Sequence, residues 1–182
     1  GQPVISTLPT PDDGPALEVD SELAKSVTQI IDGLLAAKAE ISLGDGKTRL
    51  LKAADIGVCA THRSMPGALS RNLSTAHNDV SVDTPERWQG LQRPIMIVVH
   101  PLSSVIDPSD FDLETGRLCV MASRHQVALI IVTRDHVGKT LESFIPEATQ
   151  APGQPDVVGR GHAAHSNFWR SLENAGRIMA LN

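Results

Sequence analysis

Two stretches decide the reading of this chain: VDTPERWQGLQRPIMIVVHPL, Val82 to Leu102, and GRLCVMASRHQVALIIV, Gly116 to Val132. Each sets a polar turn or helix against an apolar run without Lys, Arg, Asp or Glu, IMIVVHPL from Ile95 and ALIIVT from Ala128. Unbroken runs of this kind mark strands covered on both faces, because a half-exposed strand alternates apolar with polar residues. Upstream, AADIGVCAT, Ala53 to Thr61, is a third compact apolar strand, with shorter candidates at PVISTL, Pro3 to Leu8, and at Val80 to Asp83. Helical patterns separate them. From Val19 to Ala37 the residues Leu23, Val27, Ile30, Ile31, Leu34 and Leu35 recur at three- and four-residue spacing, with Asp20 or Ser21 placed to cap. SMPGALSRNLSTA, 64 to 76, carries Pro66 in the first turn of a helix, and a further helix runs from about Leu113 to Gln126. Strands alternating with helices predict an α/β fold, a parallel sheet with right-handed crossovers. The tail breaks the pattern: GQPDVVGRGHAAH, 153 to 165, reads as a mobile connector and NFWRSLENAGRIMA, 167 to 180, as a closing helix.

Composition narrows the class. At 182 residues, 41% hydrophobic and 20% charged, the chain fits one globular domain, and no apolar run approaches the ~20 residues a membrane span needs. The first residues, GQPVISTLPTPDDG, lack the basic region and apolar core of a secretory signal, so a cytoplasmic and truncated chain is expected. Cys59 and Cys119 have no partner at redox or zinc spacing and read as buried reduced thiols. The net charge of -5 is uneven: residues 1 to 46 hold eight acidic and two basic side chains, leaving 13 acidic and 14 basic beyond them. The later segment is thus nearly neutral, which permits a local basic face. Aromatic residues make up 3% with no Tyr, which disfavours a sheet that stacks bases on aromatic rings.

In an open parallel sheet ligands sit beyond the carboxyl ends of the strands, which selects four places. They are Thr61-His62-Arg63, Asp83-Thr84 leading into Gln89-Gly90, His100 with Ser103, and Ser123-Arg124-His125. A guanidinium at Arg124, ending a helix ahead of a buried strand, can neutralise charge on a transferring phosphoryl group or sit in a surface salt bridge. Gln89 and Gly90 form a polar turn where glycine lets the backbone approach a ligand, or an ordinary connection, and Thr84 offers a hydroxyl to phosphate. Trp88 either stacks on a base or packs in the core. GDGKT, Gly44 to Thr48, has a Gly-Lys-Thr tail, but no glycine stands five residues before Gly46 and a strand follows where a phosphate loop needs a helix. No GxxxxGK[ST] loop occurs in the 182 residues. His162 and His165 lie in the connector with no companion ligands, and no G-x-S-x-G elbow accompanies Ser123. No metal site is expected.

The first stretch resembles motif V of superfamily 1 helicases of the Dna2-like and nonsense-mediated-decay type, a Thr, an aromatic and Gln-Gly ahead of a strand. GRLCVMASRHQVALIIV resembles their motif VI, and DIGVCATHRSM the strand and turn that precede motif V. Order and spacing match over most of residues 15 to 135. The resemblance implies a RecA-like lobe of the P-loop NTPase type, the second motor lobe, over residues 1 to 150, with 151 to 182 a connector and helix packed on the same domain. It implies that Arg124 reaches the ATP γ-phosphate, that Gln89, Gly90 and Gln92 border the nucleotide, and that Thr84, His62 and Arg63 contact single-stranded DNA or RNA. ATP and Mg2+ would be held mainly by an N-terminal motor lobe carrying the phosphate loop. Gln92 stands where the family has glutamate, Pro85 where it has valine, Met65 where it has glutamine, and His125 and Gln126 where it has alanine and a cation. These departures support the alternative of a non-catalytic RecA-like binding or scaffold module. A flavodoxin-like enzyme binding a phosphorylated ligand is the third possibility.

Overall fold

The computed structural model describes residues 3–15, 19–44, 46–61, 64–73, 77–146 and 156–181. In chain order it forms β1 (Val4–Leu8), α1 (Ser21–Ala36), β2 (Glu40–Ser42), β3 (Thr48–Leu50), β4 (Ile56–Cys59), α2 (Ser64–Asn72), β5 (Ser81–Asp83) and α3 (Pro85–Trp88). Then follow β6 (Arg93–Val99), α4 (Thr115–Ser123), β7 (His125–Arg134), α5 (His136–Ser143), α6 (Val157–Asn174) and β8 (Ile178–Ala180). The two uncharged runs become neighbours in one six-stranded sheet of order β5-β4-β6-β7-β1-β8. Every pairing in it is parallel, with Ile97 opposite Ile130 and Val58 opposite Ile97. The fold is therefore α/β, an all-parallel sheet flanked by helices, consistent with a RecA-like arrangement.

Strand periodicity divides the core in two, since successive side chains leave a strand on opposite faces. Ile95, Ile97 and Val99 join Ile56, Val58 and Val132 in the cluster under α1 and α2. Met96 and Val98 join Leu129, Ile131 and Ile5 in the cluster under α3, α4, α5 and α6. Each such side chain removed from water contributes roughly 1.5–3 kcal/mol, which is why both faces of β6 must be covered. Helix α1 meets the first face through Leu23, Val27 and Ile31, one turn apart and all fully buried. Asp20 fixes where it starts, accepting the Glu22 and Leu23 amides at 3.2 and 3.0 Å.

Trp88 belongs to the core: it is 1% exposed and its Nε1 donates to the Val58 carbonyl at 3.0 Å. The indole can lie there because position 57 is glycine. A Cβ on Gly57 would stand 2.5 Å from the indole and 2.6 Å from Met96 Sδ.

The ends of the chain depart from the sequence expectations. Residues 151–155 lie outside the described residues, but helix begins at Val157, so most of the expected connector is helical. Asp156 caps it by accepting the Gly159 amide at 2.7 Å, and the bare Cα of Gly161 passes against the Leu113 carbonyl. The helix stops at Asn174, and Ile178–Ala180 extends the sheet beside β1 instead of ending the helix. Helix α5 was not expected from the sequence. Strands β2 and β3 pair as an antiparallel hairpin, with Ser42 opposite Thr48. Cys59 is buried, as expected, and burial pushes its thiol pKa up, but Cys119 is exposed on α4. No helix among the described residues is long and apolar enough to cross a membrane.

Candidate functional site

Because all six strands run the same way, every residue immediately ahead of a strand lies on the amino edge of the sheet, and every residue just after one lies on the carboxyl edge. This corrects the expectation that all four candidate places lie at carboxyl ends. Gln89, Gly90 and Gln92 precede β6 and Arg124 precedes β7, so they occupy the amino edge. Thr84 follows β5 and occupies the other. The chain crosses between them through α3, which Trp88 fastens to β4.

On the amino edge the predicted residues converge. The Arg93 amide donates to the Arg124 carbonyl at 3.1 Å, tying the ends of the two connections together. The Gln126 amide lies 3.4 Å from Gln92 Oε1, so two of the departures from the helicase pattern touch each other. Gly90 holds φ at +78°, a conformation glycine takes without strain, and a Cβ there would meet nothing within 4 Å. Gln89, Gly90 and Gln92 are exposed around this turn. Arg124 closes α4 as its C-cap, where a cation complements the negative end of the helix dipole. Its guanidinium donates to Ser123 Oγ at 2.9 and 3.3 Å and pairs with no carboxylate among the described residues. Of the two sequence alternatives, the surface salt bridge is absent.

Arg93 is turned differently. It donates to the Gln92 carbonyl and to Ser81 Oγ at 3.0 and 3.1 Å and stacks 5.6 Å from the Trp88 ring centre, so it braces the turn against β5. Lys52 and Arg177 also precede strands. Asp107, Asp110 and Asp135 lie in segments that follow strands, and Asp83 ends β5. Lys52, Arg93, Arg124 and Arg177 thus lie toward the amino edge and these aspartates toward the carboxyl edge, although Asp55 and Asp79 also precede strands and Arg87 and Arg134 stand at or after strand ends. Sequence reasoning missed Lys52, Arg93 and Arg177 as members of the basic edge, although their positions just ahead of strands were the signal.

At the carboxyl edge Thr84 caps α3, and its amide donates to Asp83 Oδ1 at 2.9 Å. Acids surround it, with Asp83 paired to Arg87 at 3.5 Å and Glu86 to Arg117 at 3.1 Å. His62 and Arg63 lie outside the described residues. His100 and Ser103 are 3% and 2% exposed and turned inward. His100 Nδ1 accepts the Leu102 amide at 3.2 Å, and Ser103 Oγ donates to the His100 carbonyl at 2.7 Å. Neither faces a ligand.

His165 corrects a further expectation. It is 0% exposed, not solvated, and lies edge-on to His100 with ring centres 5.3 Å apart. Neither of its nitrogens has a hydrogen-bond partner among the described residues. Burial, then the neighbouring His162, hold its pKa down to about 4 against an opposing pull from Asp112. Burial, then His165 and His136, push His100 well below the usual imidazole value. Both rings are neutral at pH 7. Among the described residues no group of three or more His, Cys, Asp and Glu is placed to hold a metal ion.

Arg134 is the other cation the sequence did not single out. It is 2% exposed, bound to both Asp20 oxygens at 2.8 Å and to Glu22 at 2.8 Å. It lines an open cavity of 760 Å³ beside the start of α1, but its charge is already matched there. No protein-family model and no curated protein matches the chain.

Proposed function

We propose that the chain is the second motor lobe of a superfamily 1 ATP-dependent helicase or translocase, with Arg124 as the arginine presented to nucleotide phosphates. The observation that carries this reading is the meeting of the motif V-like turn and Arg124 on one edge of the sheet, with a guanidinium that donates to a serine hydroxyl and pairs with no carboxylate among the described residues. Such a guanidinium keeps donors available for an anion, and its planar fork suits phosphate oxygens. The open space over Gly90 and the exposed amides of Gln89 and Gln92 fit a nucleotide lying along the same edge.

ATP, when bound, supplies the phosphoryl group, and a first lobe with a phosphate loop would hold most of it together with Mg2+. What this chain contributes is charge at a fixed place: Arg124 is set by the C-terminus of α4 and by the tie between the two connections. Thr84, on the opposite edge and separated from the nucleotide by the height of the sheet, is a proposed contact to single-stranded DNA or RNA, and so, from the sequence, are His62 and Arg63. The neutral contact between Gln92 and Gln126 favours the second reading, a scaffold lobe that binds without turnover.

A two-lobe protein containing this chain, assayed for ATP turnover with and without single-stranded DNA and RNA, separates them. Strand-stimulated turnover that falls about a thousandfold in Arg124→Ala supports the motor. Absence of turnover with nucleotide still bound supports the scaffold. Turnover that Arg124→Ala leaves intact removes Arg124 from the site. Hydrolysis by the 182-residue chain alone, lost in that variant, would require a different site altogether.

A further inference from the structure

We infer that the ledge from Val105 to Asp112, at the carboxyl edge, is a docking surface for a basic amphipathic segment of another protein. Two open grooves of 610 and 850 Å³ flank it and share Ile106 and Asp107. Among the described residues four aspartates line them, Asp13, Asp107, Asp110 and Asp112, and no Lys, Arg or His does. The same grooves carry Ile106, Phe111 and Ile145, which are 67%, 47% and 83% exposed and count among nine large apolar side chains exposed in the described residues. Apolar side chains gathered in grooves and rimmed by one sign of charge are the signature of a binding surface, whereas isolated exposed ones are ordinary.

The ledge is held in shape before any partner arrives. Asp112 accepts the Ser109 amide at 3.0 Å and the Ser109 hydroxyl at 2.6 Å, closing the turn from 109 to 112. His136 Nε2 lies 3.0 Å from the Val105 carbonyl, pinning the other end to the start of α5. A surface already ordered loses less entropy on binding. With Asp112 committed to the turn, Asp13, Asp107 and Asp110 supply the charge that faces outward. Arg117 reaches the rim over Phe111, but Glu86 and Glu114 already match it at 3.1 and 2.9 Å. The occupant is therefore a segment with apolar side chains for Ile106 and Ile145 and Lys or Arg for the aspartates. Nucleic acid is the wrong sign for these two aspartate-lined grooves.

Titration of the 182-residue chain with a fluorescent amphipathic peptide of leucine and lysine, and with its leucine and glutamate counterpart, tests the surface. The lysine peptide should bind, roughly tenfold more weakly in Asp107→Lys/Asp110→Lys and in Ile145→Ser, and more weakly at 0.5 M than at about 0.1 M salt. Both variants alter exposed positions and should keep the parent's melting temperature. Amide shifts caused by the peptide should centre on residues 105–112 and 145. The proposal is overturned by no binding, by equal binding of the glutamate peptide, by binding that neither variant weakens, or by shifts centred elsewhere. Self-association of the free chain that Ile145→Ser abolishes would assign the surface to a second copy and also overturn it.

Discussion

Acid should loosen the face of the sheet covered by α6, and His165 should be the main reason. An imidazole whose folded pKa lies below its unfolded value contributes full stability above the unfolded pKa and loses it as pH falls toward the folded one. For His165 that window runs from the ordinary 6.5 down to about 4. At about 1.4 kcal/mol per pH unit the loss comes to roughly 3 kcal/mol, a large share of the 5–15 kcal/mol typical of a domain. His100, depressed in the same direction by burial and by His165 itself, adds to the loss. The assay is urea denaturation followed by tryptophan fluorescence at pH 7.5, 6.0 and 4.5. Trp169, one turn from His165 on α6, reports the local packing, its ring 6.2 Å from that of His100. Asp55, held low by the Arg49 hydrogen bond, and Asp135, held low by Thr10, keep their contributions until the pH nears 4 and then lose them, so they do not mask the window. His165→Leu removes a buried group with two unpartnered nitrogens and should be at least as stable at pH 7.5, with a much flatter profile down to 4.5. A variant with the parent's slope would show that His165 is hydrated or paired in solution and would refute the reasoning.

Three further outcomes follow from the packing. Gly57→Ala should cost about 1–3 kcal/mol in urea denaturation, because the new methyl overlaps Trp88 and Met96, both almost fully buried. Arg134→Met should cost about 3–5 kcal/mol by the same measurement, since it strands Asp20, itself 5% exposed, without its partner. Arg124→Ala should shift the stability of the chain by no more than about 1 kcal/mol, the size of a helix-dipole contribution, so that any large loss of ATP turnover in a two-lobe protein is not a folding defect.

The sheet was legible because β6 and β7 carry long runs without a charge, Ile95–Val99 and Val127–Thr133, covered on both faces, and α1 because its apolar stripe is regular and Asp20 caps it. The tail was not. Gly159 and Gly161 look like helix breakers in sequence, yet one sits over the Asp156 cap and the other lets α6 approach a carbonyl that a side chain would displace. Strand β8 has three residues, two of them exposed, too few to show a period. The resemblance pointed to the connections ahead of β6 and β7, which lie side by side through the Arg93 amide and the Arg124 carbonyl, whereas the rule about carboxyl ends assigned them to the wrong edge. His165 was misjudged for a different reason: nothing in a single sequence separates a histidine facing water from one packed against a second buried histidine.

The division of charge across the sheet has a consequence for encounters in solution. A body with cations at one end and aspartates at the other carries a permanent moment, and in the field of a highly charged partner it rotates before it touches. The phosphates of a nucleotide would meet the end bearing Arg124, Lys52 and Arg177 first, and a cationic segment the end bearing Asp107 and Asp110. Each partner would arrive already facing its own end, and added salt would slow both arrivals.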